Sequence, residues 1–327
     1  MLAAGLALLA LVLLILAGGW AYQSIADKRD RKRYPPPGRL IDIGGRRLHL
    51  LFTGTAPGPT VVIEAGGGND CTLWGDILRQ VAAYARVCVY DRAGLGWSDP
   101  APLPRTFENR AGDLHALLTK AGAPAPYLLV GHSYGGHVVR WFARRYPGEV
   151  AGIVLVDSSE EGYAFDPWGL KHADEVRARE LRLGWMARLG WLRLAITRSG
   201  GRFDPLKGVP AAARGEMAAL YLRSSRHFAF ADEMAAYRAV PEAMRKPGGF
   251  GALGNIPLIV ISRAARDPAS GSATPPEWLA AQDRLVALSM NSRHIAAEKS
   301  GHMIQFDQPQ VIVDAIRQLW ASSGWRR

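Results

Sequence analysis

The chain has 327 residues, 48% of them hydrophobic, which suffices for one large α/β domain with an insertion or for two small domains. No internal repeat and no low-complexity tract recurs, which excludes a solenoid and a disordered chain. The formal net charge is +11, but the basic residues form no nucleic-acid-binding module, so we predict no nucleic-acid partner.

An apolar segment opens the chain, and residues 2–22 carry no charged side chain. As a helix rising about 1.5 Å per residue, the segment would span roughly 30 Å, the thickness of a bilayer core. Trp20 and Tyr22 lie at its far end, where aromatic rings favour the membrane interface. We therefore predict a transmembrane helix over residues 1–24. The alternative is a cleaved signal peptide, which normally has basic residues before the apolar run, and this chain has none there.

A basic and proline-rich linker is predicted over residues 25–38. Its basic residues at positions 28–33 directly follow the apolar segment, where they can interact with lipid head groups. The Tyr34–Gly38 stretch contains consecutive prolines and predicts a stiff spacer. Because basic residues concentrate on the cytoplasmic side of membrane helices, this flank favours a single-pass anchor with the bulk of the chain in the cytoplasm. The opposite orientation is left open.

Cys71 and Cys88 are the two cysteines of the chain. This number is too small for a disulfide scaffold, and the spacing is not that of a metal site. We predict two buried thiols in preference to one bridge, and we expect neither a metal nor a cofactor.

Short apolar runs alternate with helical patterns along the rest of the chain. A Gly44-Gly45 turn between the first two runs is typical of a hairpin. The predicted strands are 39–43, 47–52, 60–64, 86–90, 127–131, 153–157, 258–262 and 292–298. The predicted helices are 73–84, 107–121, 136–146 and 309–320. Continuous apolar strands alternating with helices predict an α/β fold, with a parallel sheet covered on both faces and functional loops at the carboxyl ends of its strands.

A G-x-S-x-G motif runs from Gly131 to Gly135, with Ser133 at its centre. An apolar strand precedes the motif and a helix follows it, which is the context of a sharp turn that holds a nucleophilic serine in strained backbone geometry. The bare motif also occurs in ordinary turns. In this context, we predict that Ser133 is the catalytic nucleophile.

A serine hydroxyl needs a base to accept its proton. Among the eight histidines, His302 is the best candidate, because it follows Ser133 in chain order and lies on a loop between a predicted strand and a helix. His132 neighbours the serine, but we expect it to pack and not to catalyse. The other six histidines lie within predicted strands or helices, or in the segment 159–250 that interrupts them, and are given no catalytic role. We predict that His302 is the general base.

The acid that orients the imidazole is left as a choice between two aspartates. Asp267 follows the predicted strand 258–262, and Asp157 ends the predicted strand before it. Either carboxylate could reach His302, so one of the two is expected to complete a catalytic triad.

Acyl transfer also needs N–H donors aimed at the developing oxyanion. The amide of Tyr134, directly after the nucleophile, is one predicted donor. The glycine-rich stretch 64–68 follows a strand, and we predict the second donor at Gly67. Its glycines match neither G-x-G-x-x-G nor the Walker spacing, which argues against a phosphate site.

These motifs, together with Asp91-Arg92 and the following G-x-G-x-S of residues 94–98, resemble the α/β-hydrolase superfamily from about residue 39 to 320. The resemblance implies a mostly parallel eight-stranded sheet flanked by helices, with a helical cap inserted between two parts of the core. Ala65-Gly66 departs from the His-Gly common in the family. The usual acid lies slightly before Asp267, while some members carry it where Asp157 lies. Ser133 argues against members with an aspartate nucleophile.

The resemblance divides the chain into a first core part at 39–158, a helical cap at 159–250 and a second core part at 251–327. The cap segment interrupts the alternation of strands and helices and is rich in arginine and aromatic residues. Its aromatics would line an apolar pocket, although packing within the cap is the ordinary alternative for any one of them. These aromatics include Trp185, Trp191, Phe228, Phe230 and Tyr237.

Together, these features predict a serine hydrolase that cleaves an ester or related acyl bond of a small lipophilic substrate through an acyl-enzyme. The same groups would serve amide, thioester or carbon-carbon bond hydrolysis, or a perhydrolase activity. A hypothesis from another class is a catalytically silent hydrolase fold that acts as a membrane-tethered receptor or interaction module. The intact serine, histidine and oxyanion glycines argue against it.

Overall fold

Buried apolar strands form the centre of the computed structural model, which describes residues 1–199, 211–268 and 270–322. The strands are β1 (Arg39–Asp42), β2 (Arg47–Thr53), β3 (Thr60–Glu64), β4 (Val87–Tyr90), β5 (Tyr127–His132), β6 (Val150–Val156), β7 (Leu258–Arg263) and β8 (Ser292–Ala297). Every residue of β3, β4 and β5 is buried, as their continuous apolar sequence predicts for strands covered on both faces. All eight predicted strands are confirmed, with small shifts in their ends.

The strands join in one sheet in the order β1-β2-β4-β3-β5-β6-β7-β8. β2 pairs antiparallel with both β1 and β4, whereas all pairs from β4 through β3 to β8 are parallel. The predicted mostly parallel sheet is therefore confirmed. The carboxyl ends of β3, β5, β6, β7 and β8 meet at one edge of this sheet.

The helices of the described chain are α1 (Leu2–Arg33), α2 (Gly75–Ala82), α3 (Phe107–Ala121), α4 (Gly135–Arg145), α5 (Glu161–Ala164), α6 (Pro167–Arg188), α7 (Trp191–Arg198), α8 (Ala211–Tyr221), α9 (Ser224–Ala239), α10 (Pro276–Val286), α11 (Ile304–Asp307) and α12 (Pro309–Ser322). Several of them cover the two faces of the sheet. Side chains alternate between the faces of a strand, so Val61 and Ile63 share a core with α2 and α12. Val62 between them packs in a second core with α3 and α4.

The helices α5 to α9 lie between β6 and β7 in the chain, within the segment predicted as a cap. Val176 of α6 and Tyr237 of α9 belong to one buried apolar cluster, which also contains Tyr134 from the turn before α4. The inserted helices are thus packed directly onto the loop that carries Ser133.

The helix α1 is longer than the transmembrane segment predicted from the sequence. It continues to Arg33, so residues 25–33 are helical and do not form a linker as predicted. These residues contain no glycine or proline, and the helix ends just before Pro35, because proline disfavours helical geometry in the preceding residue. Among the described residues, α1 is the one helix that is both long enough and apolar enough to cross a membrane. Signal sequences share this property.

Candidate active site

Ser133 lies on the turn between β5 and α4, with φ at +52° in the left-handed region. The turn lies very close to the neighbouring chain. A Cβ atom on Gly135 would lie 2.5 Å from the carbonyl oxygen of Glu64, and one on Gly136 would lie 2.5 Å from Cβ of Ser158. Glycine is therefore required at both positions, and the tight turn presents Ser133 to a cavity beyond the strand ends.

His302 lies on the loop between β8 and α11 and connects Ser133 to an aspartate. Its Nε2 atom is 3.1 Å from Oγ of Ser133, and its Nδ1 atom is 2.5 Å from Oδ2 of Asp157. An Nδ1–H that donates to the carboxylate leaves Nε2 free to accept the serine proton. The three side chains thus form a continuous series of hydrogen bonds. In this series, Nδ1 of His302 donates to the carboxylate and Nε2 accepts from the serine, as a serine nucleophile requires.

Asp157 follows β6 directly and is fully buried, with φ at +40°. Its Oδ1 atom accepts hydrogen bonds from the Trp278 indole at 2.8 Å and the Arg263 amide at 3.2 Å. Burial acts to raise the pKa of Asp157, but the hydrogen bond and charge of His302, the charge of Arg263 and the Trp278 hydrogen bond together hold it below its usual value. The carboxylate is therefore stabilised as an anion.

Asp267, the other predicted acid, lies four positions beyond the end of β7, on a turn. Its carboxylate accepts hydrogen bonds from the Ser270 amide at 2.7 Å and hydroxyl at 3.0 Å. At the end of β7, the residue beside the imidazole is Arg263. Its Nη2 atom lies 3.2 Å from Nδ1 of His302. The structure thus brings Asp157, and not Asp267, to Nδ1 of His302.

His132 directly precedes the serine and is also buried, as expected for a packing residue. Its Nε2 atom donates a hydrogen bond to the backbone carbonyl of His302 at 3.0 Å. Burial, with a contribution from the nearby His302, lowers the pKa of His132 to about 3. The neutral ring therefore fixes the loop that carries His302 and is not itself poised to take a proton.

The predicted oxyanion donors, Gly67 and Tyr134, both border the cavity beside Ser133. Neither amide hydrogen-bonds another residue in the part of the chain that the structure describes. A Cβ atom on Gly67 would lie 2.9 Å from the Phe230 ring and 3.5 Å from Cβ of Tyr134. Gly67 and Tyr134 therefore lie close together at the cavity, and their amides are candidate donors to a carbonyl oxygen attacked by Ser133.

A buried arginine holds the loop that carries Gly67. Nη1 of Arg92 donates to the carbonyl of Ala65 and Nη2 to that of Gly66, both at 2.7 Å. Because the N–H of a trans peptide points away from its C=O, the bond to the Gly66 carbonyl directs the Gly67 amide away from Arg92. The sequence motif that contains Arg92 was recognised, but no role for this residue was predicted.

Glu233 from α9 completes this arrangement. Its Oε1 atom accepts from Nε of Arg92 at 2.6 Å, and its Oε2 atom accepts from the Gly68 amide at 2.7 Å. Burial acts to raise the pKa of Glu233, but the charges of Arg92 and Arg110 and the hydrogen bonds from Arg92 and the Gly68 amide together hold it below its usual value. Glu64 pairs with the same arginine at 2.5 Å. One inserted helix is thus bonded directly to the candidate oxyanion loop.

The cavity at Ser133 has a volume of about 490 Å³. No aspartate or glutamate lines it among the described residues. Of the cap aromatics predicted to line a pocket, Phe230 and Tyr237 do so. Trp185 and Trp191 instead lie largely exposed, and Phe228 packs on Gly184 and Trp185, so the prediction was wrong for these three. The sequence does not show which face of each inserted helix meets the cavity, so these positions could not be separated in advance.

Both thiols are free and buried, as predicted. Cys71 also belongs to a buried cluster with His49 and Asp91 whose possible ligand atoms all lie within 4.8 Å of one another. Asp91 already accepts from the Cys71 amide at 2.8 Å and from Nδ1 of His49 at 2.9 Å. Nε2 of His49 accepts from the Gly38 amide at 3.0 Å. These hydrogen bonds link the loops around the cluster, which indicates that its three side chains stabilise the fold.

A family model described as "Alpha/beta hydrolase family" matches residues 61–315. The chain belongs to this family. The hydrolase is 25% identical over 285 residues to the uncharacterized protein YqjL of Bacillus subtilis, an alignment that covers 87% of this chain and 92% of the relative.

Solved structures share the fold of the hydrolase. A thermophilic esterase from Thermogutta terrifontis superposes with a TM-score of 0.62 at 22% identity, covering 85% of this chain and 94% of the esterase. A hydrolase from Pseudomonas aeruginosa gives a TM-score of 0.64 at 22% identity, covering 86% of this chain and 98% of that one. The family match identifies this chain as a hydrolase enzyme, and the solved structures show that the fold is shared.

Proposed function

We propose that this hydrolase cleaves an ester or related acyl bond through an acyl-enzyme formed on Ser133. The observation that carries the proposal is the hydrogen-bonded chain from Ser133 through His302 to Asp157. His302 accepts the hydroxyl proton at Nε2 as the Ser133 oxygen attacks the acyl carbon. The proton then passes to the leaving alcohol, and the acyl-serine bond remains. Water, deprotonated by His302, breaks that bond and restores the serine.

The amides of Gly67 and Tyr134 are proposed to bind the oxyanion that develops during attack. Their freedom from other acceptors in the described chain and their position beside Ser133 support this role. Asp157, in preference to Asp267, is proposed to hold the imidazole in the required tautomer and to stabilise the imidazolium, since its carboxylate is 2.5 Å from Nδ1.

A lipophilic acyl group is the proposed substrate feature. Several apolar side chains border the cavity, including Phe230, Met234 and Trp278, and they support this proposal beside two cations of the same lining, Arg179 and Arg263. The apolar N-terminal helix supports a further proposal, that α1 tethers the hydrolase to a membrane, where lipophilic esters concentrate.

Labelling with a fluorophosphonate tests the nucleophile. We expect one adduct, located at Ser133 by peptide mass analysis, and none in Ser133→Ala. The matched control is Ser159→Ala, which changes another serine of the same cavity and should keep the adduct. Folded wild-type protein that takes no label would contradict the enzyme mechanism and favour a catalytically silent fold.

A turnover series then tests the bond and the acyl group. Esters of increasing acyl length, each with its amide and thioester analogue, should show hydrolysis of the ester and a kcat/KM that rises with acyl length. Faster turnover of the amide series, or a preference for the shortest acyl group, would overturn the proposed substrate class.

A further inference from the structure

The turn between α6 and α7 packs against α1 near the end of its apolar segment. A Cβ atom on Gly19 would lie 2.3 Å from the Leu189 carbonyl oxygen, and one on Gly190 would lie 2.7 Å from the Tyr22 ring. The backbones of α1 and of the α6–α7 turn therefore lie in direct contact at this level. This contact fixes how far the inserted helices stand from any membrane that α1 crosses.

The contacts further along α1 are polar. Nε2 of Gln23 donates to the Leu222 carbonyl at 2.9 Å, and Arg193 of α7 pairs with Asp30 at 2.7 Å. Charged pairs of this kind belong outside the hydrocarbon, while the uncharged run of α1 belongs within it. The boundary between the two environments thus falls near Gly19 and Tyr22, at the level of the α6–α7 turn.

Large apolar side chains are exposed around this turn and not covered by α1. Trp185 is 55% exposed, Trp191 43% and Leu194 38%. Trp185 lies one helical turn before Leu189, and Trp191 follows Gly190 directly. The guanidinium of Arg188 lies over the Trp185 ring, with its Cζ atom 5.6 Å from the ring centroid. Exposed tryptophans beside a basic residue suit the head-group region, where an indole meets both apolar chains and water.

We propose that Trp185, Trp191 and Leu194 form an interfacial surface that inserts into the head-group region of the same bilayer leaflet that α1 leaves. The proposal rests on the proposed membrane tether. Its occupant is lipid, because the surface is continuous with α1 and lies at the depth where the polar contacts of α1 begin. The inserted helices that roof the cavity are thereby held against the membrane surface instead of swinging on a flexible stalk.

Nitroxide labels on the full chain in phosphatidylcholine–phosphatidylglycerol vesicles test this surface. Leu194→Cys reports on it while keeping both tryptophans, and labelling under native conditions spares Cys71 and Cys88, which are buried. Leu13→Cys reports on the tether. Met290→Cys, at a position 81% exposed and distant in sequence from α6 and α7, is the aqueous control.

Collision rates with oxygen and with a water-soluble nickel chelate give the depth of each label. We expect oxygen to dominate several-fold at position 13, the chelate to dominate at position 290, and position 194 to lie between them at head-group depth. Replacing both tryptophans by glutamine in the Leu194→Cys chain should move its label toward the aqueous value.

The outcomes separate the two proposals. An aqueous label at position 194 with a lipid-exposed label at position 13 would overturn the interfacial surface and leave the tether intact. An aqueous label at position 13 would overturn the tether, on which the surface depends. Dipolar broadening at position 194 that grows with protein density would show a second copy on this surface, which also overturns the proposal.

Discussion

The guanidinium of Arg263 lies against the carboxylate of Asp157, with Nε 2.7 Å from Oδ2. The Cζ atom of Arg263 is also stacked 4.4 Å from the centroid of the Trp278 ring. Trp278 in turn donates its indole N–H to Asp157. The buried carboxylate is therefore stabilised by a cation and an N–H donor in addition to His302, and this explains how an anion persists at a fully buried position.

The first prediction concerns Arg263→Gln. Asp157 has a lowered pKa in the native protein, so the stability contributed by its ion pair is present at neutral pH and is lost as the pH falls through that lowered pKa. The variant should lose about 2 kcal/mol of unfolding free energy at neutral pH, and the difference from wild type should shrink in acid. Urea unfolding at several pH values measures this. A difference independent of pH would contradict it, and Arg263→Lys should recover part of the loss.

The second prediction compares the two aspartates. Asp157→Asn should lower kcat by about four orders of magnitude, because the amide no longer holds the productive tautomer of His302. Asp267→Asn should stay within about threefold of wild type, since the carboxylate bonds to Ser270. Ester turnover at matched folded concentration gives both numbers. A large loss in Asp267→Asn, with little loss in Asp157→Asn, would reverse the assignment of the acid.

The sequence predicted the strands and the turn around Ser133 well, because both depend on local residue types. Apolar runs of the length of a strand reveal β3, β5 and β6, and the glycines around Ser133 reveal a tight turn. The local sequence did not decide which aspartate orients His302. Asp157 and Asp267 both follow neighbouring strands, and only the three-dimensional position of Arg263 at the end of β7 shows which carboxylate meets His302.

The contacts that hold the candidate oxyanion loop could not be predicted for another reason. Arg92 and Glu233 are 141 positions apart in the chain. No local pattern marks Glu233, because glutamate is common on any helix, and its burial depends on how α9 packs over the loop. The extension of α1 to Arg33 was missed because a run of charged residues suits an exposed helix as well as a linker.

The third prediction concerns His132→Gln. The native pKa of His132 is about 3, whereas an unfolded histidine titrates near about 6.5. Between these values, the unfolded chain takes up a proton that the native protein does not, so stability falls as the pH falls. Glutamine keeps an N–H donor for the His302 carbonyl but does not titrate. Its unfolding free energy should fall less steeply in this window, by up to about 1.4 kcal/mol per pH unit. Equal slopes in urea titrations would contradict this.

The last prediction tests whether the inserted helices set the geometry of the oxyanion loop. Glu233→Gln weakens the bonds to Arg92 and to the Gly68 amide, so the Gly67 amide should lose its fixed direction. Because such a donor acts mainly in the transition state, kcat should fall by about tenfold to a hundredfold while KM changes little. Asp232→Asn is the matched control, since Asp232 neighbours Glu233 on α9 but lies 3.8 Å from Arg105 instead. An equal loss in both variants, or a loss confined to KM, would show that α9 contributes packing and not the orientation of the loop.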